Sequence, residues 1–63
     1  MSQIVIYKGI AVQPVERENG KIRVQSRNAA DAQKAGLTFK EMDGMAAVFE
    51  AWAPEDELVP VDA

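Results

Sequence analysis

Phe39-Lys40-Glu41-Met42-Asp43-Gly44-Met45-Ala46-Ala47-Val48-Phe49-Glu50-Ala51-Trp52-Ala53 is the stretch whose reading decides the fold. Phe39, Met42, Met45, Ala46, Phe49, Trp52 and Ala53 recur at helical spacing, which is the stripe of an amphipathic helix. Thr38 and Glu41 match a capping box ahead of it, Pro54 stops it, and acids near its start suit the helix dipole. Asp43-Gly44 dissents, because that dipeptide can turn a hairpin and a glycine inside a helix costs about 1 kcal/mol relative to alanine. The periodicity outweighs one dipeptide, and the sequence predicts a helix over residues 39–53.

Upstream, Glu18-Asn19-Gly20 is the clearest turn signal, flanked by runs that alternate apolar and polar. A two-residue Asn19-Gly20 loop pairs Glu18 with Lys21, sets Arg17 opposite Ile22, and turns Ile10 and Val12 to the wrong face. A three-residue loop pairs Arg17 with Lys21 and gathers Ile10, Val12, Pro14, Ile22 and Val24 on one face. A one-residue slip inverts every side chain, so the hydrophobic pattern favours the three-residue loop. Ile4 to Tyr7 reads as a strand, with Gly9 as a bulge leading into the hairpin. Pro14 lacks an N–H and belongs at an edge or at an unpaired ladder position. Residues 28–34 read equally as a short helix, capped by Asn28 and ended by Gly36, or as a loop.

These elements predict an α+β domain over residues 1–54, a two- or three-stranded antiparallel sheet led by a β-hairpin and packed on one C-terminal amphipathic helix. Residues 55–63 read as an acidic, flexible tail. Sixty-three residues make one domain at most. The chain has neither cysteine nor histidine. That removes disulfides, thiolate metal sites, the commonest metal ligand and the usual general base at neutral pH. No run approaches the length of a membrane span or a signal peptide, so the expected setting is cytoplasmic.

Net charge is −3, and it is divided sharply. Residues 1–40 hold all seven basic groups against three acids, a balance of +4. Residues 41–63 hold seven acids and no base, a balance of −7. Such asymmetry between halves points to interaction surfaces.

Tyr7-Lys8-Gly9-Ile10-x-Val12-x-Pro14, followed by Gly20-Lys21-Ile22-Arg23-Val24 and then Phe39 with a helix ending near Trp52, is similar to short β-β-β-α proteins of prophages and mobile elements. More distantly it resembles the arm-binding domains of tyrosine recombinases, which read DNA with a three-stranded sheet. The resemblance covers about residues 7–52. It departs from that pattern in the alanine-rich stretch between Arg27 and Leu37 and in an acidic helix and tail.

Nothing in the chain pairs a nucleophile with a base, and a domain this small has little room for the desolvated cleft that a catalytic carboxylate needs. No metal site or cofactor is expected, and the glycines lack phosphate-cradling spacing. Two contact surfaces stand out instead. With the three-residue loop, Arg17, Lys21, Arg23 and Arg27 share the sheet face away from the helix, where cations can sit on phosphates. Glu41, Asp43 and Glu50 on the helix, with Glu55, Asp56 and Glu57 beyond it, offer an acidic surface to a basic protein. Trp52 at the helix end is the candidate anchor for a partner or a homodimer. The leading expectation is a non-enzymatic protein-interaction module, a phage or mobile-element accessory or regulatory factor. The alternative is a nucleic-acid-binding domain using the basic hairpin face.

Overall fold

A computed structural model of the chain describes residues 4–61. Three two-residue turns organise it. Asn19 and Gly20, both at positive φ (52° and 77°), join β2 (Ile10–Glu18) to β3 (Lys21–Ser26). This is the mirror-image turn that Asn-Gly favours, because its twist matches that of the strands it connects. Lys8 and Gly9 make a similar reversal between β1 (Val5–Tyr7) and β2, with Tyr7 opposite Ile10. Gly9 is therefore part of a turn and not a bulge. The third reversal, Gly44-Met45, joins β4 (Thr38–Asp43) to β5 (Ala46–Pro54), with Asp43 opposite Ala46. Gly44 has φ of 64° in that turn, a value an L-residue adopts only under strain.

The predicted helix over residues 39–53 does not form. The Asp43-Gly44 signal prevails, and the stretch folds into a hairpin of two strands. Two features had disguised it. A bulge between Phe39 and Glu41 inserts Lys40, so Phe39 and Met42, three apart, fall on the same sheet face as they would on a helix. Alanines at 46, 47, 51 and 53 then count as apolar on either side of the strand. Local preference for helix yields to pairing: β5 bonds with β3 from Lys21–Pro54 to Ser26–Phe49 on one side and with β4 on the other.

The result is mostly β: one six-stranded antiparallel-paired sheet in the order β4-β5-β3-β2-β1-β6, with a single short helix midway along the chain. The α+β expectation of two or three strands on a C-terminal helix is corrected accordingly. Of the two readings for residues 28–34, the helical one forms. Helix α1 (Ala29–Ala35) starts at Asn28, whose side-chain oxygen accepts from the Asp31 N–H at 3.0 Å, and ends at Gly36 in the left-handed conformation. Because β5 is antiparallel to both β3 and β4, those two strands run parallel, and α1 is the crossover between them.

The hairpin register also departs from expectation, with a physical reason. The two-residue loop sets Glu18 opposite Lys21 and Arg17 opposite Ile22. A bulge then inserts Val15 between Pro14 and Glu16, which re-phases β2 so that Pro14 opposes Val24. Turn chemistry governs the tip, burial governs the base, and one extra residue reconciles them. Among the described residues Pro14 lies beyond the β1 pairing, which ends at Val12, a position where a missing N–H is tolerated.

The core forms where α1 meets one face of the sheet: Tyr7, Ile10, Val12, Val24, Ala32, Ala35, Leu37 and Ala53, with Val5, Ile22, Phe49, Ala51 and Leu58 packed around them. Ala32 of the helix and Ala53 of β5 are both fully buried in this core, and α1 packs against β5, β2 and β3. Beyond Pro54, the segment read as a tail makes a 3₁₀ turn over Glu55–Glu57, packs Leu58 on the core and adds β6 (Val59–Pro60) beside β1. Residues 62–63 of that segment lie outside the described residues.

Candidate functional site

Register assigns each charged side chain to a face, since directly opposed residues in an antiparallel pair point the same way. On the face away from α1, three cross-strand rows form: Gln13–Gln25–Glu50–Thr38, Glu16–Arg23–Trp52 and Glu18–Lys21–Pro54. Arg23 is central. Its guanidinium nitrogens reach Glu16 at 3.2 Å and Glu50 at 3.4 Å, while its Nε is buried without a partner. Lys40 approaches the same Glu50 at 3.9 Å.

The four cations expected on one surface are thus dispersed. Arg17 lies on the helix side, opposite Ile22, and pairs with Glu55 at 2.7 Å. Arg27 pairs with Asp43 at 2.9 Å. Lys21 and Arg23 share the outer face, joined there by Glu16 and Glu18. The Val15 bulge and two-residue turn bring those acids in and take Arg17 out.

The acidic residues are dispersed too. Glu41, Asp43 and Glu50 sit on the outer face of the β4–β5 hairpin, two of them ion-paired, while Glu55, Asp56 and Glu57 form the separate 3₁₀ turn. Glu41, Asp56 and Glu57 have no ion pair among the described residues. Trp52 is 44% exposed beside Arg23. The exposed pairs Arg17–Glu55 and Arg27–Asp43 each contribute at most about 1 kcal/mol, so their importance lies in cancelling charge.

An open cleft of about 460 Å³ lies where β2 and β3 meet the start of α1, lined by Ile4, Gln13, Gln25, Arg27, Asn28 and Asp31 among others. Arg27 is drawn toward Asp43, and Asn28 is engaged in capping. Among the described residues no group of three or more acids could hold a metal ion, and no helix is long and apolar enough to cross a membrane.

One open surface is the β4 edge. All six of its residues are exposed, and no strand among the described residues lies on its outer side. Phe39 is 53% exposed, Met42 57% and the turn residue Met45 100%. Phe39 meets Phe49 edge to face, with ring centroids 5.7 Å apart, and this contact ties the exposed patch to the core face. Helical reading had assigned Met42 and Met45 to a core; the signal that could have exposed them was Gly44 between them.

Comparison with family models, with curated proteins and with solved structures found no match.

Proposed function

We propose that this chain is a non-enzymatic protein-interaction module whose contact surface is the β4–β5 hairpin. The observation that carries this reading is the edge strand β4, in which every residue is exposed, with Phe39, Met42 and the turn residue Met45 presented to solvent. An unpaired strand edge offers backbone donors and acceptors to an incoming strand, and adjacent apolar side chains supply the buried area. In a chain this small, three large apolar groups at one end of the sheet favour contact over mere solubility. An accessory or regulatory role fits such a module; the β-β-β-α resemblance adds nothing to it, because the helix it needs over residues 39–53 is a strand hairpin.

The dispersal and pairing of Arg17, Arg23 and Arg27 weigh against the nucleic-acid alternative, because a phosphate must displace a carboxylate at each. Photo-crosslinking in cells tests the hairpin reading. A photoreactive residue at Met45 is expected to give protein adducts that Met42→Glu abolishes, whereas the same residue at the exposed helix position Gln33 gives none. Equal adducts at both positions, or none at Met45, would remove the hairpin as the contact surface.

A further inference from the structure

We infer that the partner of the β4 edge is a second copy of this chain, joined strand to strand across a two-fold axis at Lys40-Glu41. The inference rests on the hairpin reading and specifies its occupant. It follows from the order of side chains along β4 and from its bulge.

A two-fold axis perpendicular to a sheet keeps each face on the same side, so opposed residues of the two edge strands must point the same way. Thr38 and Asp43 both point to the outer face, opposite Glu50 and Ala46 of β5. Phe39 and Met42 both point to the core face, opposite Phe49 and Ala47. Lys40 and Glu41 together occupy the single position opposite Val48, because the bulge places two residues there. The six residues thus fill five positions symmetric about the bulge. Centred on it, Phe39 opposes Met42 of the second copy, Thr38 opposes Asp43, and Lys40 and Glu41 face their opposites.

Slipping the register by one residue sets the bulge of each chain against Phe39 or Met42 of the other, on the wrong face. Slipping it by two opposes Phe39 to Phe39, or Met42 to Met42, of the second copy, leaves the two bulges unmatched against Thr38 or Asp43, and brings Leu37 or Gly44 into the pairing. In a regular strand, Phe39 and Met42 would lie on opposite faces and could not pair in this way. A bulge in an edge strand commonly deters pairing, as does an edge lysine. Here the axis turns both into complementary features, since each Lys40 meets a carboxylate and the two bulges bend alike.

Single-cysteine variants test the register cleanly, because the native chain has no cysteine. Opposed Cα atoms in an antiparallel pair are about 4.5–5.5 Å apart, within disulfide range, whereas residues two positions removed are on the order of 8 Å apart. Oxidising a mixture of Phe39→Cys and Met42→Cys chains is expected to give the mixed dimer, with neither variant cross-linking efficiently alone. Sedimentation of the native chain is expected to report a dimer at twice the chain mass. Lys40→Glu gathers four carboxylates at the axis and is expected to weaken self-association at least about tenfold, with the exchanged pair Lys40→Glu/Glu41→Lys restoring it.

A native chain that stays monomeric up to millimolar concentration overturns the inference. So does a dimer in which Phe39→Cys cross-links as readily alone as in the mixture. Adducts from Met45 to a different protein, with a monomeric chain, overturn the second-copy inference and leave the hairpin reading standing. Circular dichroism of each variant separates lost association from lost fold.

Discussion

The middle of the sheet, around β2 and β3, and its β4 end solve the same chemical problem in opposite ways. Around β2 and β3, helix α1 and Leu58 cover one face, and Val12 and Val24 are almost wholly excluded from water. At β4, residues of comparable apolar character remain in solvent, and no strand among the described residues pairs with its outer edge. The difference is one of coverage. Helix α1 has seven residues, about 10 Å of length, and it spans β2, β3 and β5 without roofing β4. A short crossover helix thus leaves one strand outside the core. Stability is concentrated in the covered middle and capacity for contact at the open end.

The largest expected effect lies in the covered middle. Val24→Ala removes methyl groups from a fully buried site and should lower unfolding free energy by about 2–3 kcal/mol, read from the urea midpoint at unchanged slope. A loss below about 0.5 kcal/mol would mean that the covered middle is not the stability centre. Gly44→Ala comes next. Nothing lies within 4 Å of the added methyl, so the cost is backbone strain at positive φ, about 1–2 kcal/mol. Hydrogen exchange sharpens the contrast here: amides of β4 and the adjoining half of β5 should exchange faster, while those of β2 and β3 keep their protection. Uniform acceleration would show the two regions to be one cooperative unit.

Asn28→Ala tests the helix that makes the difference. Loss of the cap to the Asp31 N–H should cost about 1 kcal/mol, measured by thermal or urea unfolding. The smallest effect is expected at the open end, where Met45→Ser at a fully exposed turn position should change stability by less than about 0.5 kcal/mol. A larger loss would place Met45 in the fold's energetics and not on a contact surface.

Some of this was legible in the chain. Asn19-Gly20 marked its turn, Asn28 and Gly36 bracketed the helix that forms, and Ile10, Val12, Ile22 and Val24 emerged as one apolar face. The C-terminal half was misread because helical and strand periodicities coincide when a bulge and several alanines intervene. Phe39 and Met42 kept a shared face, but on a strand. The candidate basic face changes membership for a related reason: with Val15 bulged out and a two-residue turn, Arg17 leaves it and Glu16 and Glu18 join Lys21 and Arg23.

By itself the sequence determined the charge division, the absence of thiol and imidazole chemistry, and the positions where the chain can reverse. These depend on residue identity and on φ preferences local to two or three residues. Tertiary structure alone decided which turn signals prevailed, where the two bulges fell, and which cations found carboxylates. A bulge is settled by burial on the partner strand, and an ion pair by registers set many residues away. The self-complementary edge at β4 belongs to that second kind: its residues are written in order along the chain, but they become a symmetric surface only once Lys40 is inserted opposite Val48.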